Sequence, residues 1–150
     1  LLDLACGTGL IAEEFKKNYP KSICDGSDIS KDILEIAKTK KVYNKLYKIN
    51  FEKKILIKYK YHVVSIIGAM TYCSNHKLFF KLVNDYLYKN GLLVFTQRCD
   101  LWEKFDFDQL LDNLSIFKKL YVSRPMNYLP KNKEFGTKIK IRISVLQRLN

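Results

Sequence analysis

Apolar and polar positions in this chain follow two periods, one typical of buried strands and one typical of amphipathic helices. Residues 1–5 are apolar apart from Asp3, as in a parallel strand that is covered on both faces. Gly7-Thr8-Gly9 interrupts this run, and helical spacing begins at Leu10. The opening stretch therefore predicts a strand, a glycine turn and a helix, with the turn at the carboxyl end of the strand.

The same two periods recur along the chain and predict an α/β fold. Pro20 ends the first helix, Ser30 caps the second, and Asn90-Gly91 closes the third. Residues 138–145 alternate strictly, which predicts an antiparallel edge strand with one face in water. A loop is predicted at 125–136. The predicted strands cover residues 1–5, 21–28, 46–50, 61–67, 92–96, 117–124 and 138–145, and the predicted helices cover 10–18, 30–41, 75–89 and 106–114.

The length of 150 residues predicts one domain, residues 1–150, that is large enough for a hydrophobic core. The chain begins with Leu1, inside or at the end of the first predicted strand, and has no initiator methionine. We therefore expect a fragment that lacks the segment before its first strand.

The charge is strongly basic, with 27 Lys and Arg against 15 Asp and Glu and a net charge of +12. Such an excess ordinarily suggests nucleic acid or an anionic surface as a partner. Ten lysines lie between residues 31 and 60, on one predicted helix and the segment after it. A solvated lysine face is the favoured interpretation, because surface lysines are common, and an RNA-binding variant stays open.

The cysteines indicate a reducing compartment. Cys6, Cys24, Cys73 and Cys99 form no C-x-x-C pair and show no metal-ligand spacing, so we expect reduced thiols and no metal. The sequence has no apolar run of about 18 residues and no signal-peptide pattern. We expect a cytoplasmic protein without a membrane span, and the missing amino end leaves targeting open.

Asp3 narrows the choice of ligand. A carboxylate inside a buried strand is costly unless a cationic or hydrogen-bonding group meets it, and S-adenosylmethionine offers an α-ammonium group and no phosphate. Asp3-Leu4-Ala5-Cys6-Gly7-Thr8-Gly9 resembles motif I of the class I S-adenosylmethionine-dependent methyltransferases, with Ala5 in place of the first glycine.

A second interpretation of the same turn remains. Residues 7–12 also satisfy G-x-G-x-x-A, the dinucleotide-binding fingerprint, and Asp28 lies near the ~20 residues downstream where that fingerprint has its ribose acid. The alternatives are therefore a nicotinamide-dependent oxidoreductase and a non-catalytic cofactor-binding protein of the same fold.

Asp28 is predicted to hold a ribose, because a carboxylate at a strand end accepts from two hydroxyls at once. The string Gly26-Ser27-Asp28-Ile29-Ser30 with Leu34 and Ala37 is similar to a pattern of the same methyltransferase class. Asn50 stands where many relatives carry the acid that binds the adenine amine. Phe51 could cover the adenine or belong to the core. The predicted cofactor-binding residues are Asp3, Ala5, Cys6, Gly7, Thr8, Gly9, Asp28, Ile29, Asn50, Phe51 and Gly68.

The turn after the fourth strand is expected to face the methyl donor and the acceptor. It lacks the Asn/Asp-Pro-Pro-Tyr/Phe tetrapeptide of the nucleic-acid amino methyltransferases, which disfavours methylation of a base. His76, Tyr72 and Arg98 are the candidates for a catalytic role, although a single histidine near a helix start is more often a surface or capping residue. Cys6 is expected to pack rather than to act as a nucleophile. Further candidates for the acceptor pocket are Met70, Thr71, Trp102 and Tyr128.

The resemblance implies the fold and the activity. It implies a Rossmann-like, doubly wound sheet of seven mostly parallel strands whose last strand inserts antiparallel beside the fifth, and methyl transfer from S-adenosylmethionine to a small-molecule or protein acceptor. At a finer level, residues 68–71, 96–103 and 128–136 look like the methyltransferase-like family of the Williams–Beuren chromosomal region of animals, whose acceptor is poorly defined.

Overall fold

One mixed β-sheet organises the structure. The computed structural model of the chain describes residues 1–128 and 138–150, and these residues contribute eight strands. The strands are β1 (Leu2–Leu4), β2 (Asp25–Asp28), β3 (Lys45–Lys48), β4 (Tyr61–Ile66), β5 (Leu87–Arg98), β6 (Phe117–Val122), β7 (Met126–Asn127) and β8 (Lys140–Arg148).

The strand order confirms the predicted doubly wound α/β fold. It is β3-β2-β1-β4-β5-β8-β6, and the two-residue β7 pairs with β8. Strands β1 to β5 are parallel to one another, whereas β8 lies antiparallel beside β5. The seven predicted strands are present, and β7 is the additional one. The carboxyl ends of β1, β2 and β4 meet at one edge of the sheet, which is where open α/β sheets bind ligands.

Helices cover both faces of the sheet. Gly9 lies at the start of the first helix with a left-handed φ of 87°, and Ser30 caps the second by accepting the Ile33 N–H at 3.3 Å, as predicted. The helices are α1 (Leu10–Asn18), α2 (Lys31–Thr39), α3 (His76–Tyr86), α4 (Cys99–Lys104) and α5 (Phe107–Asp112), and a 3₁₀ turn covers Met70–Tyr72.

The core explains the apolar run at the start of the chain. Leu2 and Leu4 are fully buried on one face of β1, and Asp3 between them is buried on the other face, as expected for a strand covered on both sides. Phenylalanine side chains from α3, α5 and the strands pack against one another in edge-on or tilted pairs, for example Phe80 with Phe95 and Phe95 with Phe107. Such pairs add to the free energy gained by burial alone.

A buried carboxylate ties together the amino ends of the parallel strands. Asp25 is fully buried, and one of its oxygens accepts the hydroxyls of Tyr59 and Tyr61 at 2.7 and 2.6 Å. The other accepts the Lys45 N–H at 3.0 Å and the Asn44 amide at 3.3 Å. These donors offset the cost of removing a carboxylate from water. They also anchor the start of β3 to β2 and β4.

The prediction for the third helix was wrong at its end. The helix was predicted to reach residue 89 with Asn90-Gly91 as its stop, but α3 ends at Tyr86 and Leu87 already pairs with Tyr61 of β4. Val63 then pairs with Leu92, so β5 bulges out between the two pairs. The turn residues Asn90-Gly91 therefore belong to the bulge, and Asn90 has a left-handed φ of 63°.

The interpretation of residues 138–145 as an edge strand was also wrong. β8 lies between β5 and β6, and β6 is the strand at that edge. From Lys140 to Arg148 only Lys140 is exposed, so the strand has no face in water. Strict alternation indicates antiparallel pairing, but it does not show whether one partner or two will pair with the strand.

Smaller differences concern the element ends and one helix. The second strand begins at Asp25 rather than at residue 21, and the sixth ends at Val122. The short α4 directly after β5 was not predicted. Residues 129–136 of the predicted loop lie outside the described residues. None of the described helices is both long and apolar enough to cross a membrane.

The bulge in β5 generates a stability prediction. A methyl group at Gly91 would lie 2.8 Å from the Tyr88 carbonyl oxygen and 3.2 Å from the His62 carbonyl oxygen, both in the backbone. We expect Gly91→Ala to lower the free energy of unfolding by about 1–3 kcal/mol in urea denaturation. The control is Asn90→Gly, because glycine suits the left-handed φ, and it should stay within about 1 kcal/mol of the parent. Equal stability of Gly91→Ala and the parent would contradict this account of the bulge.

Candidate functional site

A cavity of about 350 Å³ opens at the carboxyl ends of β1, β2 and β4. Six of the eleven predicted cofactor-binding residues line it, and the remaining lining residues come from the turn after β4, from the segment after β3 and from the residue that follows β7. The lining residues are Ala5, Asp28, Ile29, Ile49, Asn50, Phe51, Ile67, Gly68, Ala69, Tyr72 and Tyr128.

The glycine turn follows Ala5, which lines the cavity, but neither Gly7 nor Gly9 is among the lining residues. Gly7 and Gly9 have left-handed φ values of 54° and 87°, which glycine adopts without steric cost. A methyl group built on Gly7 would meet no atom within 4 Å, so this backbone is open to close approach by a ligand. A methyl group on Gly9 would lie 2.9 Å from the Tyr43 ring, so the backbone conformation and the packing together explain that glycine without a ligand. Thr8 is half-buried and does not line the cavity.

Asp28 joins the glycine turn to the second helix. One carboxylate oxygen accepts the Gly7 N–H at 3.0 Å, and the other accepts the Ser30 N–H at 3.0 Å. Each oxygen keeps a further lone pair, since an ionised carboxylate has about four acceptor positions. The half-buried carboxylate can therefore accept two ligand hydroxyls while it stays fixed to the backbone on both sides.

Asp3 lies beneath the cavity rather than in its wall. Its side chain is 1% exposed, and it accepts the Tyr43 hydroxyl at 2.8 Å and the Ser65 hydroxyl at 2.7 Å. Burial raises the pKa of Asp3 to about 6, although the two hydroxyl donors act in the opposite direction. The charge of Asp28 adds to the rise. The structure thus brings the two carboxylates close together, with only Asp28 lining the cavity.

Cys6 has the environment of a packing residue. It is buried, and its Sγ lies 3.1 Å from the position that a methyl group on Gly26 would take. Burial raises the pKa of Cys6 to about 12, so the thiol stays protonated at neutral pH. It is not among the lining residues of the cavity.

Asn50 and Phe51 form the part of the wall that follows β3. Oδ1 of Asn50 accepts the Glu52 N–H at 2.8 Å, which leaves one lone pair and the two amide hydrogens for a ligand. Phe51 lines the cavity and also packs edge-on against Phe79, with ring centroids 5.9 Å apart. Both interpretations of Phe51, as a ligand contact and as part of the core, agree with this position.

A second, smaller cavity of about 140 Å³ adjoins the first. The two share Gly68, Tyr72 and Tyr128, and Tyr72 is 77% exposed. Arg98 lies in the wall of the smaller cavity and forms an ion pair with Asp100. The lining residues of the smaller cavity are Gly68, Thr71, Tyr72, Thr96, Gln97, Arg98, Tyr128, Ile139 and Ile141.

Three predicted acceptor-site residues lie elsewhere. The His76 ring packs against Phe105 and Phe107, with centroids 5.0 and 4.9 Å apart, and burial lowers the pKa of His76. Met70 is fully buried in the core. Trp102 is buried and donates to Asp108 at 3.0 Å. Neither cavity is lined by any of the three.

Sequence reasoning missed three residues of this region. Tyr43 and Ser65 hold Asp3 from positions 40 and 62 residues away, and no local pattern marks them. Gln97 follows the predicted fifth strand and precedes the candidate Arg98, and it is buried in the wall of the smaller cavity. Within residues 1–128 and 138–150 no group of three His, Cys, Asp or Glu side chains could hold a metal ion.

Comparison with known proteins gives a family match and several matches of fold. A family model described as a methyltransferase domain matches residues 1–91. The chain is 28% identical over 100 residues to malonyl-[acyl-carrier protein] O-methyltransferase 2 of Ilyobacter polytropus. The matched region covers 64% of this chain. The chain spans only 38% of the length of that curated relative.

Solved structures share the whole described fold at low identity. A putative S-adenosylmethionine-dependent methyltransferase from Listeria monocytogenes matches with a TM-score of 0.77 and 16% identity, over 99% of this chain and 90% of that one. The plantazolicin methyltransferase BpumL, in complex with a pentazolic desmethylPZN analog and SAH, matches with a TM-score of 0.76 and 14% identity, over 99% and 76%. At such identities the likeness shows the fold alone.

The burial of Asp3 generates a pH prediction. Its folded pKa of about 6 exceeds the reference value of 3.8, so the folded state holds a proton that the unfolded state has lost between these values. The stability contributed by this group is therefore present below about pH 4 and disappears as the pH rises through about 6. We expect the free energy of unfolding of Asp3→Asn, taken relative to that of the parent, to rise by up to about 3 kcal/mol from about pH 4 to pH 7. Urea denaturation at each pH measures this difference.

Asp32→Asn is the matched control, because Asp32 is exposed in the first turn of α2. Its difference in unfolding free energy from the parent should stay nearly constant over the same pH range. A difference for Asp3→Asn that does not change with pH would show that Asp3 ionises normally in the folded protein.

Proposed function

Because the chain belongs to the methyltransferase domain family, we propose that it binds S-adenosylmethionine and transfers the methyl group to an acceptor. The observation that carries this proposal is the Asp28 carboxylate. It is fixed by backbone N–H groups on both sides, and it lines a cavity beside an open glycine backbone. This arrangement fits a nucleoside whose ribose hydroxyls both need an acceptor.

We assign the remaining walls of the larger cavity to the other parts of the cofactor. Ile29 and Phe51 provide apolar surfaces for the adenine faces, and the free amide hydrogens of Asn50 suit its ring nitrogens. At Gly68, with a left-handed φ of 82°, an added methyl group would lie 3.1 Å from the Tyr128 hydroxyl oxygen. This tight passage between the two cavities is the proposed position of the reacting methyl group.

Asp3 is proposed to act through its charge. The cofactor carries an ammonium and a sulfonium, and a carboxylate beneath the glycine turn favours both by Coulomb attraction. A bound cation would in turn favour the ionised form of Asp3. Tyr43 and Ser65 hold the carboxylate in place for this purpose, since each donates a hydrogen bond to it.

Methyl transfer needs little chemistry from the protein. The bound cofactor supplies an electrophilic methyl group with a good leaving group, so the chain mainly aligns the acceptor for in-line attack. We place the acceptor in the smaller cavity, beside Thr71, Tyr72 and Arg98. His76 lies among phenylalanine rings and is not needed as a base in this arrangement.

The acceptor is a small molecule or a protein side chain in our proposal. The similar proteins differ in this respect, because one is named for malonyl-[acyl-carrier protein] and another for plantazolicin. The strings at residues 68–71 and 96–103 support the finer proposal of the Williams–Beuren-region family, and residues 129–136 of its third string lie outside the described residues. The four free cysteines support a cytoplasmic location.

A nicotinamide-dependent oxidoreductase is disfavoured by the family match and by the antiparallel β8 inserted beside β5. A non-catalytic cofactor-binding protein shares every feature of the larger cavity and differs only in turnover. The test that separates an active methyltransferase from a non-catalytic protein is turnover. The protein is incubated with S-adenosylmethionine and a broad panel of acceptors, and mass spectrometry measures whether S-adenosylhomocysteine is produced.

The ribose role of Asp28 generates a binding prediction. We expect isothermal titration calorimetry to show saturable binding of S-adenosylhomocysteine to the parent protein and at least about a hundredfold weaker binding to Asp28→Ala. The reason is that two hydrogen bonds to a charged acceptor are lost together. The matched control is Asp32→Ala, which removes an exposed carboxylate four residues further along and should bind as the parent does.

Asp28→Ala also removes the bonds to Gly7 and Ser30, so its fold is checked by its urea denaturation midpoint and by Asp28→Asn, which keeps one acceptor oxygen. Asp28→Asn should bind with intermediate affinity. Unchanged affinity in a folded Asp28→Ala would overturn the proposed cofactor site, and saturable binding of NADH alone would favour the oxidoreductase.

A further inference from the structure

The wall of the smaller cavity carries several hydrogen-bond donors, among them the side chains of Gln97 and Arg98. We infer that the methyl acceptor is a carboxylate held by Gln97 and Arg98, and that the product is a methyl ester. This inference rests on the proposed function and gives it a substrate class. It is carried by the buried Gln97 amide, whose Nε2 has no hydrogen-bond partner among the described residues.

The backbone N–H of the next residue, Arg98, positions the Gln97 side chain. It lies in β5, is 1% exposed, and its Oε1 accepts the Arg98 N–H at 2.9 Å. That bond fixes the orientation of the amide, because only the oxygen can accept. A buried amide N–H₂ without a partner destabilises the folded protein, so a ligand oxygen that accepts from it would relieve this cost.

The other polar groups of this wall are mostly donors as well. Thr96 accepts the Gly68 N–H at 2.8 Å through Oγ1, which leaves its hydroxyl hydrogen to donate. Arg98 binds Asp100 through Nε and Nη2 at 3.0 and 2.7 Å, so Nη1 is its free donor. Among the described residues that line this cavity there is no Asp, Glu or His. The site therefore offers hydrogen bonds to a ligand rather than a base for its proton.

Charge favours the same class of acceptor. Arg98 is the charged side chain among the described lining residues, and its guanidinium attracts an anion and repels a protonated amine. Asp100 partly balances this charge. The cavity volume of about 140 Å³ suits a single terminal group rather than a whole substrate.

Methyl transfer to a carboxylate needs neither an acid nor a base from the protein. A carboxylate is already ionised at neutral pH and attacks the methyl carbon as it stands, whereas an alcohol or an ammonium group must first lose a proton. The new bond joins carboxylate oxygen to methyl carbon, and the carbon–sulfur bond breaks with its electron pair left on sulfur. A sulfonium and a carboxylate thus become a thioether and an ester, and no proton is released.

The test compares matched ligands on the protein saturated with S-adenosylhomocysteine. Benzoate, benzyl alcohol and benzylamine are titrated in turn, and the Gln97 side-chain amide resonance is followed by nuclear magnetic resonance. Benzoate should shift this resonance in a saturable way, and the alcohol and the amine should do so at least about tenfold more weakly. No shift with benzoate up to its solubility limit, or a stronger response to the alcohol or amine, overturns the inference.

Two variants show whether the Gln97 amide is responsible. Gln97→Glu keeps the oxygen that accepts the Arg98 N–H but replaces the donor by a repelling oxygen, and Gln97→Met removes the donor without adding charge. Both should lose benzoate affinity by about tenfold to a hundredfold, measured by calorimetry, and still bind S-adenosylhomocysteine as the parent does. Gln109→Glu makes the same change at an exposed position of α5 and should alter neither affinity.

The outcomes separate the two proposals. Unchanged benzoate affinity in either Gln97 variant, with S-adenosylhomocysteine binding intact, overturns the carboxylate inference alone. Methylation of amines but not of carboxylates by the parent does the same. Failure of the parent to bind S-adenosylhomocysteine or S-adenosylmethionine overturns the proposed function itself.

Discussion

The bridge that Asp28 makes between Gly7 and Ser30 is the interaction on which the site depends. Both bonds run from backbone N–H groups to a carboxylate, which makes them stronger than bonds between neutral groups. They hold the turn after β1 at a fixed distance from the start of α2. The remaining lone pairs of Asp28 are therefore held in one orientation by the fold, so the proposed ligand would require little further ordering of this side chain on binding.

The sheet tolerates further carboxylates because hydroxyl groups from distant segments reach them. Asp3 accepts from Tyr43 and Ser65, and Asp25 accepts from two tyrosines near the start of β4. The two networks differ in position. Asp25 lies at the amino ends of the strands, whereas Asp3 lies in the neighbouring strand β1, where we propose that its charge also acts on the cofactor.

The sequence predicted the parts of the structure that are encoded by short stretches. The glycine turn, the cap at Ser30 and the position of Asp28 beside the turn all follow from local patterns and strand order. The partners of Asp3, the insertion of β8 between two strands and the end of α3 at Tyr86 depend on contacts between residues far apart in sequence. Leu87 illustrates the limit, because it fits both the helical stripe and a strand, and only its pairing with Tyr61 decides between them.

The Tyr43 side chain packs against two glycines, Gly9 after β1 and Gly26 in β2. Its ring lies 2.9 Å from the positions that methyl groups on Gly9 and Gly26 would take, and its hydroxyl reaches Asp3. A larger residue at 9 or 26 therefore requires a smaller one at 43, and a smaller one at 43 deprives Asp3 of a donor. The packing at the two glycines and the hydrogen bonding of the buried carboxylate are thus coupled through one side chain, so a change at any of these four positions is felt at the others.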